Sequence, residues 1–329
     1  MGGGGTDLPA YASKYGGFVI SAAIDKYVYI YANRPFNDDS IRLKYSKSEQ
    51  VDSLGEVQHD LARIALQRME VTQNIELAWM ADISEGSGLG SSGAFLVAMV
   101  QSLLALKKTP TTPYQVASHA YKIEGELAGH PVGPQDHFVS AFGGGIILTI
   151  GSDGRIESKT LGGNHDIRYG VEVETLSAGL KRLQDHLLLF DTGIRRSSRD
   201  PLWSQETDTK REDPQVLDSL HRTKEMGYRA KELLERGDVE GYGKLLDAHW
   251  QAKKQRRGIT NPAIDSWYSL ALDYGAWGGK VVGAGGGGFL LFALAPADQQ
   301  ELIEALTICG LKHLPFQFAS RGVEVVAKS

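Results

Sequence analysis

Glycine clusters constrain this chain more than any other feature of its sequence. They fall at residues 2–5, 86–93, 143–145 and 283–288. Each forces the backbone to turn sharply or to let something approach closely. The 39 glycines among 329 residues are about 12%, against a usual value near 7%, and they are not spread as a flexible linker. A tight turn explains any one cluster taken alone. Four in one chain shift the reading toward backbone that cradles a ligand.

The rest of the composition is that of an ordinary globular chain. Hydrophobic residues make up 42% and charged residues 23%, which argues against intrinsic disorder. Lys and Arg number 35 against 40 Asp and Glu, a net charge of −5. With a pI near 6.0, the chain lacks the overall positive charge of a nucleic-acid binder. Its apolar runs, such as 281–282 and 289–295, fall far short of the roughly 20 residues of a membrane helix. The opening Met-Gly-Gly-Gly-Gly-Thr-Asp has neither the basic nor the apolar region of a secretory leader. One cysteine, Cys309, excludes an internal disulfide, and no Cys/His cluster suits a metal. The expectation is a soluble, cytoplasmic protein without a membrane or nucleic-acid partner.

Length suggests two domains or one large one. Composition changes over 150–175, where glycines recur, and this places domains at 1–165 and 166–329. In the first, 18–24 and 26–32 are rich in aromatic and β-branched residues and predict strands. Apolar residues at helical spacing predict a helix over 53–70. A strand at 75–80, helices at 94–106 and 114–128 (Gly129 stopping the latter) and a strand at 146–150 complete it. In the second, a strand at 187–190 precedes a polar loop at 197–214 and helices at 215–236 and 238–256. Asn261-Pro262 opens another helix as N-cap and first position. The end reads strand 280–282, glycine loop, strand 289–294, helix 298–309 and strand 323–326.

A phosphate wants backbone N–H groups aimed at it and the positive end of a helix dipole. The 86–93 loop meets both needs, because its glycines let it fold around an anion and an apolar helix follows directly. Ser91 and Ser92 add hydroxyls suited to phosphate or magnesium. No lysine precedes the serines, so this is not the P-loop motif. The 283–288 loop matches Gly-x-Gly-x-x-Gly by count, but a strand follows it where a dinucleotide site requires a helix. Two carboxylates also stand out as magnesium ligands or proton acceptors, Glu124 and Asp136. Taken alone, Glu124 reads better as part of a solvated helix face beside Lys122 and Glu126. Asp136, taken alone, reads better as a helix N-terminal residue paired with the dipole.

The motifs occur in a telling order: Gly-Gly-Gly-Thr-Asp at 3–7, Gly-Ser-Gly-Leu-Gly-Ser-Ser at 86–92, Gly-Pro-Gln-Asp at 133–136 followed by Phe-Gly-Gly, and Gly-Ala-Gly-Gly-Gly-Gly at 283–288. Over nearly its whole length the chain resembles the small-molecule kinases named for galactokinase, homoserine kinase, mevalonate kinase and phosphomevalonate kinase (GHMP kinases). Within that family, Ala-Ile-Asp-Lys-Tyr at 23–27 and Asp-Thr-Gly-Ile-Arg-Arg at 191–196 are most similar to the sugar kinases related to D-glycero-D-manno-heptose 7-phosphate kinase. The resemblance implies a two-lobed α+β fold, with an N-terminal ribosomal-protein-S5-like lobe, a C-terminal ferredoxin-like lobe, and ATP with Mg2+ between them. It further implies that Gly86, Ser87, Gly88, Leu89, Gly90, Ser91 and Ser92 hold the phosphates, and that Ser92 and Glu124 are magnesium ligands. Asp136 would be the catalytic base or orienting carboxylate, and Gly285, Gly286 and Gly287 would shape the site. Thr6, Asp7 and Lys26 match sugar-pocket positions. Phosphoryl transfer asks mainly for positioning and charge neutralisation, and these parts supply both.

One departure is visible. Family members carry a strand before the first glycine motif, with a basic residue in a Pro-x-Arg or Pro-x-Lys segment, whereas here Gly2 follows Met1 at once. That predicts an unpaired sheet edge. A phosphorylated acceptor needs cations, and Lys26, Arg34, Arg195, Arg196, Lys253, Lys254, Arg256 and Arg257 are more than a neutral sugar requires. Arg196 is the leading phosphate contact and Arg34 a second; the 253–257 run reads alternatively as the polar face of a helix. The expected activity is ATP-dependent phosphorylation of the anomeric hydroxyl of a sugar phosphate, D-glycero-D-manno-heptose 7-phosphate giving the 1,7-bisphosphate. The small-molecule partners are then the sugar phosphate and ATP, with a homodimer allowed. The alternatives are a kinase of a free sugar such as fucose, or a sensor on the same fold that has lost catalysis.

Overall fold

A computed structural model describes residues 1–152, 156–160, 178–195 and 199–327. They gather into two compact units: the described parts of Met1–Asp25, Glu85–Leu89 and Gly144–Ser320, and those of Lys26–Ser84, Gly90–Gly143 and Arg321–Ser329. The domain boundary expected at 165/166 lies outside the described residues, as does Arg196.

The second unit is built on a four-stranded sheet ordered Val28–Asn33, Ile75–Ala81, Ile41–Lys44, Ser48–Val51, in which the middle pair is parallel and the outer pairs antiparallel. Val28–Asn33 alternates in burial, with Tyr29 and Tyr31 turned to solvent, as a strand covered on one face must. Helices Asp60–Arg68, Ser91–Leu106, Pro113–Tyr121 and Gln135–Phe142 belong to this unit. Leu77, Leu96, Val100, Leu103 and Phe138 form part of its buried interior. The helix expected over 53–70 is a short 3-10 turn, Leu54–Glu56, and a separate helix, Asp60–Arg68. His59 divides them, because its ring accepts from the Ala62 N–H and caps the helix.

The first unit holds two sheets. One is ordered Gly17–Ala22, Gly145–Ile150, Ile156–Thr160, all antiparallel. On its outer side Gly2 exchanges two backbone hydrogen bonds with Ile20, so the edge expected to be unpaired is bonded at that residue. The other sheet is ordered Lys312–His313, Leu187–Asp191, Phe289–Ala293, Gly278–Val281. It packs its apolar face on Trp250, Ile264, Tyr268, Leu302 and Leu306. Asn261 caps Pro262–Asp273 as its sequence predicts, accepting from the Ile264 N–H.

Two further sequence expectations fail. The polar loop at 197–214 contains a helix, Arg199–Lys210. Its buried positions include Pro201, Glu206 and Thr209, so no apolar period announced it. Glu206 is buried because it accepts the Ala10 N–H in the first turn of helix Pro9–Tyr15. The strand at 323–326 does not form. Val323 makes one backbone bond, to Ala141, and Val326 is exposed. Residues 321–322 instead cross Gly143, where a Cβ would sit 2.1 Å from the Arg321 carbonyl carbon.

Candidate active site

In the second unit the site begins at Gly90. Its φ of +74° makes it a left-handed N-cap for Ser91–Leu106, and as a glycine it supplies no side-chain cap. The helix start lies at the positive end of a 16-residue dipole, an environment that favours an anion. Asp136 lies in the first turn of Gln135–Phe142, so the dipole pairing read from sequence is present. It is also packed against the loop: a Cβ on Gly90 would meet its Cγ at 3.0 Å, and one on Gly93 its Cβ at 2.9 Å. Glycine at both positions is what lets the carboxylate approach the helix start.

Glu124 is 3% exposed while Lys122 and Glu126 face solvent, so the solvated-face reading does not hold. The reason is local. The expected single helix over 114–128 is α-helical from Pro113 to Tyr121 and then a π-helix, Lys122–Leu127. The wider turn changes the helical phase of Glu124. His137 donates through Nε2 to one carboxylate oxygen at 2.9 Å, and His130 Nδ1 lies 3.6 Å from the other. Burial alone would raise the Glu124 carboxyl, but hydrogen bonds from His130, His137 and Ser92 outweigh it and bring it down to about 2. It is thus an anion beside a serine hydroxyl. Among the described residues no group of three His, Cys, Asp or Glu forms a metal site by itself. One carboxylate and one hydroxyl, both hard oxygen donors, fit magnesium, which commonly completes its shell with substrate phosphates and water.

In the first unit, the Glu85–Leu89 segment of the loop crosses the third glycine motif. A Cβ on Gly288 would sit 2.1 Å from the Ser87 carbonyl oxygen, and one on Gly283 2.3 Å from that of Gly88. Backbone bonds from Gly286 to Ile259 and from Gly288 to Ile194 pin the motif below. Ser87 is fully buried, with Leu89 N–H 3.5 Å from its hydroxyl. Thr6 is buried too, bonded to the carbonyls of Gly3 and Phe18 and accepting the Phe18 N–H; it staples the first glycine turn to the following strand. Asp7, 2% exposed, accepts the Gly5 N–H.

The cations separate by environment. Arg34 is exposed and Lys26 half-buried, both in the second unit. Arg195 forms a bidentate pair with Asp191, at 2.7 and 2.6 Å, and Lys254 pairs with Asp265. Lys253 and Arg256 are buried at 6% exposure each, so the polar-face reading fails for these two and holds for exposed Arg257. Sequence reasoning did not pick out His130, His137, His249 or Lys280. The signal for His137 was its place directly after Asp136, and for Lys280 its place on the strand entering the third glycine motif.

Residues 57–144 match the family model of the GHMP kinases N terminal domain, and residues 230–310 that of the GHMP kinases C terminal. D-glycero-alpha-D-manno-heptose 7-phosphate kinase of Campylobacter jejuni is 28% identical over 338 residues, covering 98% of this chain and 95% of that protein. A galactokinase of Pyrococcus furiosus is 26% identical over 248 residues, 68% of this chain and 64% of its own. The crystal structure of a D-glycero-D-manno-heptose 1-phosphate kinase from Bacteroides thetaiotaomicron shares the fold, with a TM-score of 0.74 at 21% identity over 99% of this chain and 96% of that one.

Proposed function

Because the chain belongs to the GHMP kinase family, whose members are ATP-dependent kinases, we propose that it phosphorylates the anomeric hydroxyl of a sugar phosphate, with D-glycero-D-manno-heptose 7-phosphate as acceptor and the 1,7-bisphosphate as product. The observation that carries this reading is Asp136 held against Gly90 and Gly93 at the start of Ser91–Leu106. A carboxylate beside a helix N-terminus supports a reading in which a proton acceptor lies next to bound phosphate. The 28% identity to a heptose 7-phosphate kinase along almost the entire chain supports the choice of acceptor.

In this mechanism the first-turn N–H groups of Ser91–Leu106 hold phosphate oxygens and stabilise the charge that spreads over them during transfer. The Asp136 carboxylate orients the acceptor hydroxyl and takes its proton as the oxygen attacks the γ-phosphorus of ATP, whose bond to the bridging oxygen breaks to release ADP. Ser92 Oγ and the Glu124 carboxylate are the groups that would hold magnesium, whose chemistry is to neutralise phosphate charge. His137 and His130 keep Glu124 ionised and fix its direction.

The test is a panel of acceptors with magnesium-ATP, read as ADP release: heptose 7-phosphate, the unphosphorylated heptose, fucose and galactose. The expected result is the highest kcat/KM for the heptose phosphate. Preference for an unphosphorylated sugar would remove the sugar-phosphate assignment and leave a free-sugar kinase. Tight nucleotide binding without turnover of any sugar would favour a sensor.

A further inference from the structure

The first unit carries a group of buried cations with no counter-charge among the described residues. His249 and Lys253 lie one turn apart on helix Val239–Lys254, Arg256 follows just past its end, and Lys280 comes from strand Gly278–Val281, which packs on that helix. All four are at most 8% exposed. No carboxylate among the described residues pairs with Lys253, Arg256 or Lys280. Buried charges are ordinarily paired, because removal from water costs several kcal/mol per ion. Three in one place, unpaired among the described residues, suit an anionic ligand.

The hydrogen bonds give the group a direction. Arg256 makes four hydrogen bonds to neutral oxygens of Ser219, Thr223 and Gln205, and its guanidinium lies 3.3 Å from where a Cβ on Gly5 would sit. Gln205 in turn donates to the Gly5 carbonyl. One end of the group thus supports the first glycine turn. Lys253 donates to the carbonyls of Gly283 at 2.5 Å and Val281 at 3.4 Å, holding the entrance to the third glycine motif. Lys280 is left over: among the described residues its ammonium has one polar contact, His249 Nδ1 at 3.5 Å, and three protons to give. His249 Nε2 is buried with no hydrogen-bond partner among the described residues. The group has donors to spare.

We propose that Lys280, backed by Lys253 and Arg256, receives a phosphate group of a ligand at the third glycine motif, so that the anion completes the charge balance of this unit. The phosphate comes either from the acceptor sugar or from the nucleotide; only that assignment rests on the kinase reading above. Burial, and then repulsion from neighbouring cations, hold the ammonium groups of Lys253 and Lys280 below their ordinary range. An arriving dianion reverses that balance, so binding at neutral pH draws in protons wherever a lysine was neutral.

The experiment is calorimetric titration of the full chain with inorganic phosphate, without nucleotide, in two buffers of different ionisation enthalpy. It is run on wild type, Lys280→Met and Lys280→Arg. Wild type should bind phosphate with proton uptake. Lys280→Met should bind it about thirtyfold more weakly or worse, the lower end for loss of a buried charge contact, and Lys280→Arg should recover part of the loss. Displacement of bound phosphate by heptose 7-phosphate assigns the group to the acceptor, and displacement by ADP assigns it to the nucleotide. Equal phosphate affinity in wild type and a folded Lys280→Met, or no phosphate binding by wild type, overturns the proposal. A separate Lys253→Met titration guards against a folding defect confined to one variant. Phosphate binding that depends on Lys280 in a protein that turns over no sugar would sink the sugar-kinase reading and leave this site standing.

Discussion

Lys280→Met should make the unliganded protein more stable near neutral pH, the reverse of the usual result for a buried substitution. Burial, and then Arg256, lower the Lys280 ammonium from 10.5 to about 8. A gap of about 2.5 units corresponds to about 3 kcal/mol at 1.36 kcal/mol per unit. The sign follows from proton counts. Between about pH 8 and 10.5 the unfolded chain binds more protons at this lysine than the folded one does, so stability rises with pH across that window. Below pH 8 both states are protonated and the whole cost is present. Methionine occupies similar space without charge. It also removes the donor facing His249 Nδ1, but at 3.5 Å that bond is marginal, and its loss costs about 1 kcal/mol. The net gain is then about 2 kcal/mol near pH 7. Lys253, relieved of one repulsive neighbour, adds to it in the same direction.

Urea unfolding of both proteins from about pH 7 to about pH 9.5 checks this. The difference between variant and wild type should be largest at the acid end and narrow steadily as pH rises. Measurement stops there because Tyr11, raised to about 12, stays protonated in the folded state when unfolded tyrosines have begun to ionise, and this turns the slope downward. A variant less stable than wild type at pH 7, or a difference that does not change with pH, would refute the claim that Lys280 is held uncompensated.

Asp136→Asn should lower turnover by about 10²–10⁴ with ATP affinity by calorimetry nearly unchanged; near-normal turnover would remove Asp136 from the chemistry. Gly90→Val forces a β-branched residue into φ +74° with its Cβ 3.0 Å from Asp136, and nucleotide affinity should fall by about tenfold or more. Unchanged ATP affinity would put the phosphate site elsewhere. His137→Phe keeps the ring against Tyr121 but leaves buried Glu124 short of its 2.9 Å donor, so the protein should lose about 3 kcal/mol of stability in urea. A change within about 0.5 kcal/mol, as at an unengaged surface site, would mean that the pair does not support the carboxylate.

The elements that sequence reading located are those whose signal is local. Strands Leu187–Asp191 and Phe289–Ala293 are continuous apolar runs, and Asn261-Pro262 encodes its own cap. Where the deciding contact came from far along the chain, the reading failed. Arg199–Lys210 buries Glu206 because Ala10, nearly two hundred residues away, needs an acceptor. Glu124 is turned inward by a π-turn that no periodic pattern announces. Asp136 was legible as a dipole-paired carboxylate, and the turn that positions it also packs it against Gly90.

The cation group was the harder case, and its sequence carried a signal that residue type obscured. Tyr242, Leu246, His249, Lys253 and Arg256 are spaced by four, three, four and three residues, and all five are buried. That is the spacing of a helix's core stripe. Hydrophobicity stops at Leu246, so a reading by polarity turns the face outward there, and a 253–257 run of cations then resembles a solvated surface. The helical phase does not stop: the stripe that buries Tyr242 and Leu246 carries His249 and Lys253 inward with it. A basic residue in phase with a core stripe is either an error of register or a charge the fold holds for a partner. Here Lys253 meets the carbonyls of a glycine loop, and Lys280 arrives from the neighbouring strand with donors unspent. The phase settles the register, which leaves the partner.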